Sequence, residues 1–347
     1  MFRQFIPCVL LAVAGLFEIS ADASPNAATL PAAPARLLWV SETGDDATAV
    51  AGMRSHPWKT VYDIRDSSRP SRYGAAAAAR PGDWIVFEKG TYRVPSVPLN
   101  LPAGKGLNLL VPAGATLIRR DFSNTNGSPL PANLGTCGPL ILPGNGSHVQ
   151  VDGLVIATNA DTYDAVVGWA DYLSIYYPRS GAQYGFTNWP ADRVLVDGQG
   201  TLQGKSDVIY MTTAWSPSLV NATFRNLHLR SRWDCGFLTG KCKVSTEALD
   251  ICADATLQFF GSHGIVAFSG AQWTDKRSVI AATGCDMPGD SNAAAYVLDA
   301  TNRFDGTTLI AYGVTNVLPY ISRGSSSSGW YYGYGSGTNH LGKVTIK

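Results

Sequence analysis

The chain has 347 residues, of which 45% are hydrophobic and 15% charged, so it is long and apolar enough to bury a large core and is not a disordered tail. Its 27 Lys and Arg residues are balanced by 26 Asp and Glu residues, which gives a formal net charge of +1. This balance lacks the strong basic excess of a nucleic-acid-binding domain, and we expect no nucleic-acid partner.

The amino terminus has the pattern of a secretory signal peptide. Arg3 supplies a positive charge, an apolar run extends from Phe5 to Phe17, and Ala21 and Ala23 define a small-residue cleavage site. A membrane anchor is the alternative, but the run is shorter than the roughly 20 residues that cross a bilayer, and no later segment is long and apolar enough. We predict a signal peptide over residues 1–23, an extended linker over 24–36 and a secreted protein, extracellular or periplasmic.

Whether the cysteines form disulfide bonds depends on the compartment in which the protein resides. Five cysteines follow residue 23: Cys137, Cys235, Cys242, Cys252 and Cys285. In an oxidising environment the last four can form two disulfide bonds, with Cys137 left over, and their spacing does not fix the connectivity. A zinc site is the alternative, but the sequence contains no C-x-x-C pair and no histidine at ligand spacing, so we predict no metal centre of this kind.

In chain order, residues 37–92 predict an amino-terminal cap with strands over 37–40 and 84–87 and a short helix around 75–79. Short β-branched segments then recur between clusters of Gly, Asn, Asp and Pro, and no amphipathic helix of ordinary length interrupts them. Residue pairs 152–153, 197–198 and 225–226 separate such segments and are predicted bends. The Gly/Ser/Tyr-rich segment 324–347 either caps the last strands or forms a flexible arm.

Inward apolar anchors repeat along the chain, and from Val151 onward their steps are 21–30 residues. The anchors are Val86, Leu109, Val151, Ile175, Val196, Phe224, Ile251, Ile280 and Ile310. A near-constant step that carries two or three short strands is what the stacked coils of a parallel β-helix require, because each coil returns the chain one strand spacing along the axis. An antiparallel sandwich or propeller is the alternative. We predict an all-β, single-stranded parallel β-helix that forms one domain over residues 37–347.

Three segments carry a resemblance to a known family: H-P-W-K-T-V at 56–61, A-A-A-A-R-P-G-D-W-I-V-F at 76–87 and K-G-T-Y at 89–92. They resemble the opening coil of secreted right-handed parallel β-helix proteins of the pectin-lyase-like group. The segment V-D-G-Q-G-T-L-Q-G at 196–204 is similar to an early coil of polygalacturonases. The resemblance implies a right-handed β-helix that binds or cleaves a polysaccharide, usually an acidic one, laid along one face of the solenoid.

Two further blocks, residues 224–237 and 261–270, are similar to the polygalacturonase segments that carry a catalytic carboxylate and a histidine. The resemblance implies Asp234 as general acid and His263 as its neighbour, with Trp233 where the family has a second aspartate. Hydrolysis needs a further carboxylate, for which Asp161 and Asp164 are the candidates.

Elimination is the alternative chemistry, because a base can remove the proton next to a uronic carboxylate whose charge is neutralised by cations. Arg225, Arg230 and Arg232 surround one bend, and strand alternation places Arg230 and Arg232 on one face with Arg225 before the bend. Planar guanidinium groups match carboxylates. We therefore predict Arg230 and Arg232 as catalytic and Arg225 as substrate-binding, with a solvated surface as the other interpretation.

Aromatic residues are concentrated between residues 163 and 189, in a polar segment. Aromatic rings stack on the apolar faces of sugars, so we predict a substrate-binding platform formed by Trp169, Tyr172, Tyr176, Tyr177, Trp189 and, further on, Trp233. The alternative is an insertion that folds over the coils and buries these rings. No small-molecule cofactor is implied, and a calcium site at Asp161, Asp164 and Asp171 stays open because no ligand loop of recognisable spacing is present.

These observations predict a secreted polysaccharide lyase or glycoside hydrolase that acts on an acidic glycan. The alternative is a non-catalytic glycan-binding, adhesive or tail-spike-like recognition protein. The two interpretations differ in one geometric expectation. An enzyme should bring Asp234, His263 and an arginine into one open groove, whereas a binding protein needs only the aromatic row.

Overall fold

The computed structural model describes residues 36–61, 74–94, 97–99, 106–119, 140–156, 173–176, 192–204, 208–212, 220–231, 235–240, 242–254, 263–268, 270–283, 293–298, 300–312, 321–322, 329–334, 339–341 and 345–346. The chain divides into two compact units, residues 1–31 and 32–347, and all described residues belong to the second. Within these ranges no helix is long and apolar enough to cross a membrane. The predicted signal peptide lies outside the described residues.

The strands form three sheets, which we name A, B and C, and one short helix, α1 (Ala75–Ala78), precedes the second strand. Sheet A contains, in spatial order, β1 (Leu37–Val40), β2 (Trp84–Phe87), β5 (Asn108–Val111), β8 (His148–Val151), β11 (Val194–Asp197), β14 (Val220–Arg225), β17 (Cys242–Glu247), β20 (Gln272–Lys276), β23 (Thr301–Asp305) and β27 (Asn339–Leu341).

Sheets B and C each contain nine strands in the described part of the chain. Sheet B contains β3 (Gly90–Val94), β6 (Ala115–Arg119), β9 (Leu154–Ile156), β12 (Thr201–Gly204), β15 (His228–Ser231), β18 (Asp250–Asp254), β21 (Val279–Thr283), β24 (Thr308–Tyr312) and β28 (Thr345–Ile346). Sheet C contains β4 (Val97–Pro98), β7 (Ile141–Leu142), β10 (Leu173–Tyr176), β13 (Ile209–Thr212), β16 (Cys235–Gly240), β19 (His263–Phe268), β22 (Ala293–Leu298), β26 (Gly329–Tyr334) and, next to β26 at the edge, β25 (Ile321–Ser322).

From β2 to β24, successive strands belong to sheets A, B and C in turn. Strand β14 of sheet A is followed by β15 of sheet B and β16 of sheet C, and these pair with β17, β18 and β19 of the next coil. All strand pairings of the described residues are parallel. The predicted parallel β-helix is confirmed, and the antiparallel alternatives are wrong.

The amino-terminal segment covers the first edge of sheet A. The predicted strands over 37–40 and 84–87 are confirmed, and they pair with each other in parallel. The chain at Trp58 lies along β1, where its N–H donates to Trp39 O at 2.8 Å and its O accepts from Ser41 N at 2.9 Å. Because an open sheet edge can pair with another chain, this segment protects the first coil from edge-to-edge association.

The core lies inside the coils, where strand alternation sends every second side chain inward. In β11, Val194 and Val196 are buried, whereas Leu195 and Asp197 are partly exposed. Aromatic rings fill the middle coils, where Phe237 contacts both Phe224 and Trp273 edge to face, at centroid distances of 4.8 and 4.6 Å. Such pairs contribute about 0.5–1.5 kcal/mol beyond their buried area.

The predicted anchor series is wrong as a single column, because its members fall on three sheets. Val196 and Phe224 are register neighbours in sheet A, whereas Ile280 belongs to sheet B. Ile310 pairs with Ala281 and not with Ile280, so it lies outside the inward row of sheet B. Coils differ in length because the loops between their strands differ, and equal spacing along the chain therefore does not identify one column.

The turn from sheet A to sheet B is short and repeats in successive coils. Its first residue is left-handed at Gly198, Asn226, Ala248, Arg277 and Gly306, with φ from 51° to 130°. Backbone hydrogen bonds join these turns, since each of residues 226, 248 and 277 donates its N–H to a carbonyl at the end of the next strand of sheet A. The predicted bends at 152–153, 197–198 and 225–226 are confirmed, and they fix which residues face outward at the end of sheet A.

Candidate functional site

The outward face of sheet A carries polar residues across five consecutive coils. In β11, β14, β17, β20 and β23 the inward residues are buried, and the residues between them are exposed or half-buried. Strand register aligns these outward residues in rows. We call the first two rows, with Arg193 just before β11, the strip: Arg193, Leu195, Asn221, Thr223, Lys243, Ser245, Gln272, Thr274, Thr301 and Arg303.

An open depression of about 400 Å³ lies in the part of the strip nearest β11. Its lining residues are Arg193, Val194, Leu195, Asn221, Ala222, Thr223, Arg225, Lys243 and Ser245. Three of these side chains are cationic, three carry hydroxyl or amide groups, and none is acidic. The depression therefore offers positive charge and hydrogen bonds to a ligand that carries both anionic and hydroxyl groups.

The cations of the strip project into solvent. The Arg193 side chain is 80% exposed, and its Nε lies 3.9 Å from Asp192 Oδ2. Lys243 and Arg303 are exposed, and no carboxylate of the described residues lies within 4.0 Å of their charged groups. These charges are available to an anionic ligand.

Asp192 borders the strip and holds Asn221. Asp192 Oδ1 accepts hydrogen bonds from Asn221 N at 3.0 Å and from Asn221 Nδ2 at 2.8 Å. Burial raises the pKa of this carboxyl, but the hydrogen bonds from Asn221 and the charge of Arg193 outweigh it, and the pKa is lowered. The carboxylate thereby fixes the Asn221 amide at the rim of the depression.

A third outward row of sheet A, next to the turn into sheet B, alternates in charge. We call it the charge ladder: Asp197, Arg225, Glu247, Lys276 and Asp305. Neighbouring strands are about 4.8 Å apart, so opposite charges adjoin along the row. Arg277 also pairs with Glu247. The acids of the ladder thus have cationic neighbours close to the turn. The cations of the strip are not needed to neutralise them and can bind a ligand.

Asp197 links three successive coils through its two oxygens. His148 Nε2 lies 2.6 Å from Asp197 Oδ1, and Arg225 Nη2 donates to Asp197 Oδ2 at 2.7 Å. Burial raises the pKa of Asp197, but the hydrogen bonds and charges of His148 and Arg225 outweigh it and hold the pKa below its ordinary value. Because an ionised carboxylate only accepts, Nε2 carries a proton, and Nδ1 of the neutral imidazole is then an acceptor.

His148 lies one coil before the depression. It pairs in register with Leu195, which lines the depression. Its ring also packs edge to face against Trp84, with the ring centroids 5.1 Å apart. A histidine oriented by a carboxylate and placed beside cationic groups is suited to act as a general base.

A second group of histidine, aspartate and arginine lies on sheet B. Asp250 Oδ2 is 3.0 Å from His228 Nδ1 and accepts a hydrogen bond from Arg230 Nη2. Burial raises the pKa of Asp250, but the hydrogen bonds and charges of these two partners lower it overall. The same register row continues through Val279 and Thr308 and adds no cation. This row of sheet B therefore lacks the available positive charge of the strip.

The predicted site residues fall on three different sheets. Arg225 ends β14 in sheet A, Arg230 lies in β15 of sheet B, and His263 begins β19 of sheet C. Both arginines bind carboxylates of the chain itself, Asp197 and Asp250. The structure does not bring Arg225, Arg230 and His263 together on one face.

Several predicted residues lie outside the described part of the chain: Asp161, Asp164, Trp169, Asp171, Tyr172, Tyr177, Trp189, Arg232, Trp233 and Asp234. Tyr176 ends β10 in sheet C, where only its backbone is described. Cys235, which follows Asp234 in the chain, pairs in register with His263. The aromatic platform, the calcium site and the pairing of Asp234 with His263 stay predictions.

Two cysteines, Cys242 and Cys252, have described side chains. Cys242 is buried in sheet A, where its thiol donates to Gly240 O at 3.1 Å, and Cys252 is half-buried in sheet B. Cys137 and Cys285 lie outside the described residues, and only the backbone of Cys235 is described, so the disulfide bonds predicted among the last four cysteines stay a prediction. In the described part of the chain, no group of three or more His, Cys, Asp or Glu side chains could hold a metal ion.

Sequence reasoning missed the partners of the predicted arginines and the cations of the strip. It identifies Asp197 only as part of a bend and omits His148 and Lys243. One signal was available, because alternation within C-K-V-S-T-E at 242–247 places Lys243, Ser245 and Glu247 on one face. Their neighbours on other coils depend on strand register, which one sequence does not contain.

Comparison with known proteins adds a fold similarity. The chain is similar to the crystal structure of the pectate lyase Pel9A, with a TM-score of 0.40 and 13% sequence identity, over 90% of this chain and 78% of that chain. No protein-family model matches the chain, and no curated protein matches its sequence.

Proposed function

We propose that this chain is a polysaccharide-active protein that binds an acidic glycan across the strip on sheet A. One observation carries the proposal: the depression of about 400 Å³ is lined by three cations and three hydroxyl or amide side chains. An acidic sugar offers the complementary groups, since carboxylates pair with Arg and Lys and ring hydroxyls pair with Asn, Ser and Thr. The proposal also rests on the predicted signal peptide, because such glycans are met outside the cell.

The dimensions of the strip suit a polymer. It crosses five strands and is therefore about 20 Å long, and the depression occupies only its first part. Exposed polar residues continue through Gln272, Thr274 and Arg303. A linear polysaccharide laid across the strands would meet a polar or cationic side chain on every coil.

Binding to immobilised polygalacturonate, with a neutral glycan as the comparison, tests this function. Lys243→Gln and Arg303→Gln should each weaken binding by about tenfold, because each removes a charge-assisted contact. Arg93→Gln is the matched control, since Arg93 is an exposed cation on sheet B and the same charge is lost. Equal weakening by all three variants, or equal binding of the wild type to the neutral glycan, would contradict the proposal.

A second candidate function, cleavage of the bound glycan, is favoured by the geometry of His148. In elimination a base removes the proton next to a uronic carboxylate while cations neutralise that carboxylate. A carbon–carbon double bond forms as the glycosidic bond at the adjacent carbon breaks, and the leaving oxygen takes a proton from water. His148 would be the base through Nδ1, because Nε2 is held by Asp197 at 2.6 Å. Asp197 would be a positioning residue. Hydrolysis by Asp234 with His263 beside it is the competing route from the sequence, in which Arg230 and Arg232 are assigned to elimination.

Ultraviolet absorbance of the unsaturated product and release of reducing ends, followed together, separate these routes. Elimination raises both signals, and hydrolysis raises reducing ends alone. His148→Gln should abolish elimination and leave glycan affinity within about twofold, whereas Asp197→Asn should change its pH profile. Asp234→Asn should abolish hydrolysis. Bound glycan with neither signal would exclude cleavage of that glycan and retain binding as the function.

A further inference from the structure

Positive charge in the strip alternates from coil to coil. The coils of β11, β17 and β23 each place one cation there, namely Arg193, Lys243 and Arg303. The intervening coils of β14 and β20 place only neutral side chains there: Asn221, Thr223, Gln272 and Thr274. Since adjacent strands are about 4.8 Å apart, the cations recur at about 9.6 Å along the axis. Arg303 lies two residues further along its strand, a displacement of about 6.6 Å, so the line from Lys243 to Arg303 runs oblique to the axis.

The charge ladder does not cancel this alternation. On the neutral coils it carries Arg225 and Lys276, but each of these lies between two acids of adjacent strands. Arg225 also donates to Asp197 at 2.7 Å. Within the strip, Lys243 and Arg303 have no described carboxylate within 4.0 Å, and Arg193 has only Asp192 Oδ2, at 3.9 Å. In its two rows the cations therefore recur on every second coil.

We propose that the strip recognises a polysaccharide in which acidic and neutral sugars alternate. This inference rests on the proposed function and names its substrate class. In an extended chain a β-linked pyranose advances by about 5 Å, which is close to one strand spacing, so consecutive sugars lie on consecutive coils. Acidic sugars then meet Arg193, Lys243 and Arg303, and neutral sugars meet the Asn221 and Gln272 amides, which both donate and accept hydrogen bonds.

A polymer with an acid on every sugar fits this pattern less well. Its additional carboxylates would lie against the neutral residues of β14 and β20, where the strip supplies no counter-charge. The distinguishing property is therefore the register between acids and cations and not the total charge.

A charge-conserving variant tests the register directly. Lys243→Gln combined with Gln272→Lys moves one cation by a single coil and keeps the net charge, and both side chains are exposed, so folding should be preserved. Binding is measured to hyaluronan, in which a uronic acid alternates with a neutral sugar, and to polygalacturonate, in which every sugar is acidic. We expect the double variant to lose about tenfold in affinity for hyaluronan and less than about twofold for polygalacturonate. A shifted register no longer lets alternating acids meet all three cations, whereas a uniformly acidic chain still does.

The possible outcomes distinguish a failure of this inference from a failure of the proposed function. If the wild type binds neither polymer, the proposed function fails. If it binds both and the double variant loses equally for both, or for neither, alternation is wrong and the proposed function stands. The single variant Gln272→Lys removes the amide but keeps all three cations, so it should lose less hyaluronan affinity than the double variant, and equal losses in the two variants would also contradict the inference.

Discussion

Asp275 is a buried carboxyl in the core of sheet A. Its register neighbours on the adjacent coils are Thr246 and Phe304. Thr246 and Ser278 donate their hydroxyls to Asp275 Oδ1 at 2.6 and 2.5 Å, and Thr307 donates to Oδ2. Burial raises the pKa of Asp275 above its ordinary value, although the hydroxyl donors act in the opposite direction.

This burial predicts a particular pH dependence of stability. The native state retains the Asp275 proton to higher pH than the unfolded chain, so its contribution to the free energy of unfolding falls as pH rises from 3.8 through the raised pKa. Asp275→Asn has no such proton, and the difference in free energy of unfolding between wild type and variant should fall over this range in urea titrations. A difference that rises or stays flat would contradict the burial argument.

Two further variants show how large the change in the free energy of unfolding should be. Asp275→Ala leaves three buried hydroxyls without their acceptor and should cost about 1–3 kcal/mol below pH 3.8, where Asp275 is protonated in both states. Asp305→Asn removes an exposed carboxyl one coil away and should change stability by less than about 0.5 kcal/mol.

At the residue scale, the sequence shows which charged residues are present better than it shows which residues they contact. It singles out Arg225 and Arg230, but each proves to bind an aspartate more than 15 residues away along the chain. It also leaves Asp275 unnoticed, although strand alternation within Q-W-T-D-K at 272–276 places Asp275 on the same face as Trp273. Partners in a solenoid are set by coil-to-coil register, and loops of unequal length conceal that register.

At the element scale, the turn from sheet A to sheet B depends on close backbone approach. Gly198 follows β11 with φ at 130°, and a Cβ added there would lie 2.0 Å from Val151 O. That carbonyl already accepts a hydrogen bond from Gly200 N at 2.8 Å. It belongs to the preceding coil and cannot move without disturbing both coils.

Gly198→Ala should therefore destabilise the protein through both backbone strain and steric overlap. We expect a loss of at least about 2 kcal/mol in the free energy of unfolding, measured by urea titration. Gly270→Ala is the matched control, because Gly270 also has a positive φ of 83° but a Cβ there meets nothing within 4 Å. The control should lose about 1 kcal/mol. Equal losses in the two variants would show that the approach to Val151 does not matter.

The elements themselves were largely predictable. The first strands, the short helix and the bends follow from local patterns of apolar residues, Gly and Asn, and the structure confirms them. The assignment of anchors to one column was wrong, because residues such as Val196 and Ile280 are inward on different sheets. Local sequence determines which residues form a strand. The sheet to which the strand belongs depends on its place in the order of strands along the chain.

At the scale of the whole molecule, near-neutral net charge conceals an uneven distribution. The formal charge is +1, yet the strip presents Arg193, Lys243 and Arg303 with no acid in its two rows. The balancing acids lie in the charge ladder and elsewhere. A distribution of this kind gives local attraction for a polyanion without a strongly basic composition.

The central claim is that an acidic polysaccharide binds the strip through its cations, and the salt dependence of binding tests it most directly. Affinity for polygalacturonate is measured against salt concentration for the wild type, Lys243→Gln/Arg303→Gln and the control Arg93→Gln. Each neutralised anion adds about 0.7 to the slope of log affinity against log salt for a single-stranded polyanion, so the double variant should have a slope shallower by about 1.4. The control should keep the wild-type slope. An unchanged slope in the double variant would mean that the polysaccharide binds elsewhere, and the account of the strip would be wrong.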